Sequence, residues 1–410
     1  MGVKRGGGAA EACCRREAPR RRATVGGVLP LGSVRIAIAS VLACLLVACQ
    51  APSAPTAPTA VPVATAPPAK PTSAPTPAPT VAAAPTAPLL ARPGEPLAPV
   101  KVAWCAISGG FLHLFAARDA GLFAKYGLDV NASLIRGSDP TLAALQAGEI
   151  DFAYCAADAT IPGMAAGIDA VLIGAPLVGL PYVLVAHPDI QSVQDLRGKT
   201  IGINRPGDLD ERLNRAMVSF AGVQPDEVSY RSTGGQTERY QALLAGQIDA
   251  VTVTPPLEVQ ARKDGLHVVF DLGQLPIPFT YSALHANSKT IRERPDLVRR
   301  FVAAMAESVQ YVETHKAESE RALARELKLE DAESLESAYT AYAERFVNRG
   351  MDVPLRAVQE SIDYARQQGT RIQRPRAEDI VDTRFTTELR ESGFLQSLWG
   401  RPIPAPTPPP

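Results

Sequence analysis

The chain has 410 residues, of which 46% are hydrophobic and 20% are charged, with 42 basic and 42 acidic side chains. This composition excludes a wholly disordered or collagen-like chain, and the zero net charge argues against a general nucleic-acid binder. The averages hide a basic N-terminal stretch and two proline-rich segments. Without these segments about 300 residues remain, which is enough for two hydrophobic cores.

The first 50 residues have the pattern of a lipoprotein export signal. Basic side chains precede an apolar run from Ile36 to Ala48, which is shorter than the roughly 20 residues needed to span a bilayer. The run ends in Leu-Val-Ala-Cys49, which resembles the bacterial lipobox. We therefore predict a signal peptide over residues 1–48 and lipidation of Cys49. The alternatives are lipidation of Cys44, which follows a similar triplet, and an apolar run that serves as an uncleaved anchor or a cytoplasmic hydrophobic helix.

Residues 49–99 are predicted to form an extended linker. Fifteen of the 37 prolines lie between Ala51 and Pro99, in a segment that is mostly Ala, Pro and Thr. Such a segment has no apolar face to bury, and its prolines fix many φ angles. It should therefore act as a solvated stalk. The C-terminal residues 396–410 are predicted to be a similar tail.

The core between these segments contains an internal duplication. Residues 145–151 read LQAGEID, and 98 residues later 243–249 read LLAGQID. The same offset pairs Gly109 with Gly207 and Gly167 with Gly265. A register held without a gap over about 70 residues indicates two structurally similar lobes.

Each copy alternates predicted strands and helices, which indicates mostly parallel sheets with right-handed crossovers. Extended stretches at 181–187 and 278–285 are expected where the chain crosses between lobes. The predicted organisation is a first part of lobe 1 over 100–185, lobe 2 over 186–277, and a return to lobe 1 with C-terminal helices over 278–395. In chain order, strands are predicted at 100–107, 128–135, 150–155, 199–204, 227–231, 248–253 and 266–270, and helices at 111–125, 139–147, 295–314, 323–327, 332–346, 354–367 and 377–391.

Four phrases in this order resemble the type II periplasmic binding proteins, and in particular the ABC-importer receptors for nitrate, sulfonates, taurine and thiamine precursors. The phrases are ARDAGLFAKYGLDV at 117–130, ALQAGEIDF at 144–152, VQDLRGKTIG at 193–202 and RPDLVRRF at 294–301. The resemblance implies an α/β fold of two lobes, each a mostly parallel sheet flanked by helices, with the C-terminal helices packed on the first lobe.

The same resemblance implies a lipid-anchored receptor that closes on a small ligand and delivers it to an ABC permease at the extracytoplasmic face of the membrane. It implies a monomer without a cofactor. Helix N-termini at the cleft favour an anionic ligand such as nitrate, a sulfonate, a taurine-like molecule or a pyrimidine vitamin precursor. The alternatives are a ligand-sensing or scaffold lipoprotein and, less favoured, a pyrimidine-synthase-like enzyme, whose Cys-rich motif is absent.

The loops that follow the strands should line the cleft, because the carboxyl ends of parallel strands meet at one edge. Arg205 is predicted to bind an anionic group, although a solvated loop arginine is an equal alternative. Asp158 would repel an anion, so it either caps its helix or selects a cationic or polar ligand. The other predicted ligand-binding residues are small or hydroxyl-bearing loop residues, for which ordinary turns are the alternative, and aromatics, for which core packing is the alternative: Ser108, Gly109, Gly110, Ser138, Ala156, Gly207, Gly235, Thr254, Trp104, Tyr182 and Tyr281.

Motifs for catalysis or metal binding are missing from the sequence. The five histidines are scattered and no Cys-x-x-Cys pair occurs, so we predict neither a catalytic residue nor a metal site. His113 lies near the first loop, where packing is favoured over ligand contact. Cys105 and Cys155 should lie near the ends of neighbouring strands, and we expect two buried free thiols because adjacent strands seldom present disulfide geometry.

Overall fold

A computed structural model describes residues 89–405, so the predicted signal peptide, Cys49 and most of the linker lie outside the described residues. Within this range the chain forms ten strands, most of them close to their predicted positions. Val171–Val178 was not predicted. The strands are β1 (Ala98–Trp104), β2 (Leu128–Leu134), β3 (Phe152–Ala156), β4 (Val171–Val178), β5 (Val183–Ala186), β6 (Thr200–Ile203), β7 (Ser229–Ser232), β8 (Ala250–Val253), β9 (His267–Asp271) and β10 (Thr280–Ala286).

These strands form two five-stranded sheets with the same internal order. The first sheet, in lobe 1, runs β2-β1-β3-β10-β4, and the second, in lobe 2, runs β7-β6-β8-β5-β9. The outer strands β2 and β7 pair in parallel with β1 and β6, which in turn pair in parallel with β3 and β8. β10 and β5 run antiparallel to the strands on both sides of them, and the other four strands of each sheet run in one direction. The predicted fold class of two mostly parallel α/β lobes is therefore confirmed.

Helices flank both sheets, and three predicted helices are interrupted. The predicted helix 111–125 breaks at Gly121, whose φ of 66° is left-handed. The predicted helix 332–346 continues beyond Tyr339 as a π-helical turn, Thr340–Arg345, and residues 380–383 divide 377–391. The helices are α1 (Leu112–Asp119), α2 (Leu122–Lys125), α3 (Ser138–Ala147), α4 (Ala157–Ala165), α5 (Leu209–Phe220), α6 (Gln236–Leu244), α7 (Leu257–Lys263), α8 (Ser288–Glu293), α9 (Pro295–Thr314), α10 (Lys316–Leu327), α11 (Ala332–Tyr339), α12 (Leu355–Gln367), α13 (Arg384–Glu391) and α14 (Phe394–Trp399).

The duplicated Gly-x-Ile-Asp phrase has the same structural role in both lobes. Gly148 follows α3 with a φ of 73° and Gly246 lies just beyond α6 with a φ of 67°, so each ends its helix in the left-handed region. Asp151 accepts a 2.8 Å hydrogen bond from the N–H of Lys101, and Asp249 accepts one of 2.7 Å from the N–H of Thr200. The phrase thus ends a helix and fastens the next strand to its parallel neighbour.

Aromatic side chains hold the C-terminal helices on the first lobe. Phe301 of α9 stacks on Phe152 of β3, with ring centroids 4.0 Å apart, and on Phe123 of α2 at 5.9 Å. All three rings are buried. Fully burying each such side chain contributes about 1.5–3 kcal/mol. No helix within residues 89–405 combines the length and the apolar character that crossing a membrane requires.

Cys105 and Cys155 are joined by a disulfide, so the expectation of two free thiols is wrong. Trp104 and Tyr154 are the last register partners of β1 and β3, which places the two cysteines directly opposite each other. Their Cα atoms are 5.3 Å apart, within the disulfide range of about 4.4–6.8 Å. Because Cys105 lies one residue beyond the end of β1, the ladder does not fix its backbone as the prediction assumed.

Candidate functional site

A cavity of about 760 Å³ lies between the two lobes at the carboxyl ends of their parallel strands. This position follows from the topology, since the loops after β2, β3, β6 and β7 converge there. Tyr182, directly before β5, and Ser361 and Tyr364 of α12 complete the wall. The lining residues are Gly137, Ser138, Asp139, Asp158, Ala159, Pro162, Gly163, Tyr182, Asn204, Arg205, Gly207, Asp208, Leu209, Asp210, Arg212, Gly235, Arg239, Ser361 and Tyr364.

Two of the three arginines in the cavity wall are already paired with carboxylates of the same wall. Arg205 lies 2.8 Å from Asp208 and Arg239 lies 3.3 Å from Asp210. The side chain of Arg205 is 75% exposed, so its ion pair is screened by water. The carboxylates of Asp208 and Asp210 therefore compete with any anionic ligand for these two guanidinium groups.

Arg212 is the third arginine, and it has a different environment. Its guanidinium carbon lies 4.6 Å from the ring centroid of Tyr364, which is cation–π geometry. Among residues 89–405 it forms no ion pair within 4 Å. Arg212 is therefore the lining arginine that is free to bind an anionic or hydrogen-bond-accepting group.

Backbone N–H groups beside α5 are bound by side chains of the chain itself. The N–H of Asn204 donates to Asp210 at 2.6 Å, and that of Gly207 donates to Glu211 at 2.8 Å. Helix N-termini attract anions because such N–H groups otherwise lack partners. Here the acidic residues in the first turn of α5 supply the anionic groups, which weakens the argument for an anion held at this helix.

Asp158 lies in the first turn of α4 and lines the cavity. Burial raises the pKa of its carboxyl group to about 6, while the positive charge of Arg212 and nearby backbone N–H groups act in the opposite direction. Within the described range its carboxylate forms no ion pair with a basic residue. Above about pH 6 Asp158 therefore places a negative charge in the cavity wall that no basic residue of the described range contacts within 4 Å.

Five of the twelve residues predicted to bind ligand line this cavity, and seven do not. Tyr182 is the aromatic member that lines it, and its ring meets Tyr281 edge to face at 5.9 Å. Trp104 packs edge to face on Phe115 at 5.6 Å. In the cavity wall are Ser138, Tyr182, Arg205, Gly207 and Gly235, while Trp104, Ser108, Gly109, Gly110, Ala156, Thr254 and Tyr281 lie outside it.

The glycine loop after β1 is covered by tyrosine rings. A Cβ atom on Gly110 would lie 2.6 Å from the ring of Tyr281, and one on Gly109 would collide with the ring of Tyr342. Ser108 accepts a 3.1 Å hydrogen bond from the N–H of Gly110, as an N-cap does. The two glycines thus make room for the chain's own aromatic side chains.

On the opposite lobe, Thr254 is also held by the chain. Its N–H lies 3.0 Å from Oε1 of Gln236, and its hydroxyl donates to the same atom at 3.2 Å.

His113 is fully buried, and burial lowers its pKa to about 3. Neither Thr254 nor His113 lines the cavity. No group of three or more His, Cys, Asp or Glu side chains within 89–405 has the arrangement of a metal site.

Sequence reasoning did not predict Asn204, Asp208, Asp210, Arg212, Arg239 or Tyr364 as members of the site. The charged residues of α5 could have been found, because the first turn of a helix that follows a strand points toward the cleft. Tyr364 could not. It reaches the cavity from α12, and its hydroxyl donates a 3.0 Å hydrogen bond to the carbonyl of Gly207, more than 150 residues away along the chain.

Comparison with known proteins adds a family and several structural neighbours. A family model described as "NMT1/THI5 like" matches residues 109–319. A protein of Brucella abortus (strain 2308) that carries the name "Putative binding protein" is 27% identical over 238 residues, which is 57% of this chain and 73% of the relative.

Two solved structures share the fold at low sequence identity. The periplasmic aliphatic sulphonate binding protein SsuA from Escherichia coli is 17% identical, with a TM-score of 0.59 over 70% of this chain and 92% of that one. The periplasmic nitrate-binding protein NrtA from Synechocystis PCC 6803 is 14% identical, with a TM-score of 0.58 over 75% and 91%. At such identities the likeness establishes the fold and leaves the ligand open.

Proposed function

Because the chain belongs to the NMT1/THI5-like family, we propose that it is the solute-binding protein of an ABC importer. The observation that carries the proposal is the cavity of about 760 Å³ whose wall combines charged side chains of both lobes. A ligand that contacts both lobes binds the closed form better than the open one. Closure is then the signal that an ABC permease recognises. Lipid on Cys49 would hold the receptor at the extracytoplasmic face of the membrane.

The proposed ligand is a small polar molecule that carries a nitrogen with donor hydrogens as well as an anionic or acceptor group. Asp158 is suited to the donor nitrogen, since its carboxylate is desolvated and, although the charge of Arg212 acts on it, forms no ion pair within 4 Å among the described residues. Arg212 is suited to the acceptor group. Within the predicted ligands, taurine-like molecules and pyrimidine precursors have both features, whereas nitrate and simple sulfonates offer only acceptors.

The first experiment is mass spectrometry of small molecules released from protein purified under native conditions. Titration calorimetry with taurine, sodium nitrate, methanesulfonate and an aminomethylpyrimidine then compares wild type with Asp158→Asn and Arg212→Gln. We expect each variant to lose about 10- to 150-fold in affinity for a nitrogen-bearing probe, which is the effect of one charge-assisted hydrogen bond.

Arg215→Gln is the matched control. Arg215 lies on α5 as Arg212 does, but it pairs with Glu211 and stacks on Tyr230 outside the cavity. Its variant should bind as wild type does. Nitrate or methanesulfonate binding that is tight and insensitive to Asp158→Asn would refute the nitrogen-bearing ligand. Ligand binding without any association with a permease would instead favour the sensing or scaffold function.

A further inference from the structure

A series of polar contacts connects α7 of lobe 2 and the loop before it with α11 and the π-helical turn after it. Lys263 lies 2.9 Å from Asp331, Arg262 lies 3.3 Å from Glu333, Ser337 donates to Glu258, and Tyr342 donates to the carbonyl of Pro255 at 2.9 Å. Along this series the residue numbers on the α7 side increase while those of their partners on the α11 side decrease. The two segments therefore run antiparallel along a continuous seam.

The seam crosses from one lobe to the other. Pro255 follows β8 of the second sheet, and α7 follows in the same lobe. On the other side, the segment after the π-helical turn is fixed to the first sheet, because the N–H of Val178 in β4 donates to the carbonyl of Phe346 at 3.0 Å. Contacts along the seam therefore resist separation of the lobes.

Burial identifies the contact that matters most in this seam. The side chains of Lys263 and Asp331 are 43% and 46% exposed, and an ion pair in such a position contributes little. Tyr342, in contrast, is fully buried. Its ring lies against Gly109 of lobe 1 and stacks with Tyr281 at 6.1 Å, while its hydroxyl reaches the backbone of lobe 2.

The backbone at Tyr342 is unusual in a way that supports a specific role. Residues Thr340–Arg345 form a π-helical turn. Such turns are rare and occur frequently at functional sites, because the extra residue per turn redirects the side chains of an otherwise regular helix. Here the turn follows directly on α11 and places Tyr342 between the lobes.

We propose that Tyr342 is a built-in tether between the two lobes, which supplies part of the free energy of closure from the chain itself. It occupies the space between the Ser108–Gly110 loop of one lobe and Pro255 of the other, where the sequence predicts ligand contact. The ligand is thereby confined to the cavity on the Asp158 side. Only this statement about the ligand rests on the proposed function.

The test measures lobe separation without ligand. Glu149 and Gln247 are exposed, equivalent positions of the duplicated motif in lobes 1 and 2, and both are replaced by azide-bearing residues for labelling with a donor–acceptor pair. Single-molecule energy transfer on the full chain gives the ratio of closed to open molecules. Tyr342→Phe removes only the hydroxyl, so we expect this ratio to fall about 3- to 10-fold, and to fall further in Tyr342→Ala.

Tyr339→Phe is the matched control. The Tyr339 hydroxyl donates a hydrogen bond of the same 2.9 Å length, but to Val312 within the C-terminal helices of lobe 1. Its variant should leave the closed-to-open ratio unchanged. Thermal unfolding checks that each variant is folded.

Wild-type protein that is open without ligand would overturn the tether, and so would a closed fraction that is equal in wild type, Tyr342→Phe and Tyr342→Ala. The measurement uses neither ligand nor permease. Failure of the tether therefore leaves the proposed transport function untouched, and absence of ligand binding leaves the tether standing.

Discussion

The proposed binding role of Asp158 comes with a cost to stability. Burial raises its pKa from 3.8 to about 6, so the folded protein holds the proton more tightly than the unfolded chain does. Below about pH 4 both states are protonated and the burial costs nothing. Between about pH 4 and pH 6 the unfolded chain has released this proton while the folded protein still holds it, so stability falls as the pH rises. Above pH 6 the folded protein carries the desolvated charge and the full cost remains.

Asp158→Asn should therefore stabilise the protein at pH 8 by about 1–2 kcal/mol, a figure discounted because the cavity admits water. The gain should disappear below pH 4. Urea unfolding of both proteins at pH 3.5 and pH 8 checks this. Asp226→Asn, at an exposed carboxylate, serves as the control. A stabilisation that is the same at both pH values would show that the charge of Asp158 is not its cause.

Single residues were also where the sequence was least informative. The sequence predicted that a ligand approaches the backbone at Gly109 and Gly110, and in the structure the atoms that lie against these glycines belong to Tyr342 and Tyr281. A glycine in the sequence indicates that something approaches the backbone closely, but it does not show whether a ligand or an aromatic ring of the chain does so. The partner of Arg205 could not be predicted either, since a loop arginine has the same sequence pattern whether it pairs with Asp208 or with a bound anion.

At the level of elements, the disulfide joins the carboxyl ends of β1 and β3. Cys155 lies three residues before Asp158, so the bridge fixes the start of the helix that carries this carboxylate. The two cysteines are 50 residues apart along the chain. Closing a loop of that length restricts the unfolded ensemble, which stabilises a protein by about 2–4 kcal/mol.

The double variant Cys105→Ala/Cys155→Ala should lower the free energy of unfolding by that amount, as urea denaturation would measure. Alanine suits the site because both side chains are buried. Adding reductant should destabilise the wild type to the level of the double variant and leave the double variant unaffected. An unchanged wild type under reductant, after thiol counting has established that the bond is cleaved, would contradict the prediction.

Elements with a strong local signal were predictable from the sequence. Helix α9 has its predicted bounds, Pro295–Thr314, because proline at its first position and a regular apolar face define it. The π-helical turn after Tyr339 was read as plain helix, since one extra residue per turn hardly alters an apolar pattern over six residues. Strand β4 was missed because its continuous apolar run lacks the alternation that indicates a strand.

At the scale of the whole molecule, the sequence predicts a linker of about 40 residues between the lipid on Cys49 and the described domain. An extended proline-rich chain covers about 3 Å per residue, so the lobes could reach roughly 120 Å from the membrane. This length would let a closed receptor reach a permease without leaving its anchor.

Cys49→Ala should abolish incorporation of labelled palmitate and release the protein from the membrane fraction, because the lipobox cysteine is the acylated residue. Cys44→Ala is the control and should retain both label and membrane association. Label that persists in Cys49→Ala and disappears in Cys44→Ala would move the lipid to the other cysteine.

The two antiparallel strands have a further consequence. Strand β5 follows the four strands of the first copy but lies between β8 and β9 of the second sheet, while β10 follows the second copy and lies between β3 and β4 of the first. Each copy thus donates its fifth strand to the other and cannot complete its own sheet. The smallest self-sufficient unit of this architecture is two copies, as in a strand-exchanged dimer whose partners have been joined end to end. A cut in the loop after Ala186 would leave two pieces, each holding a strand that the other needs.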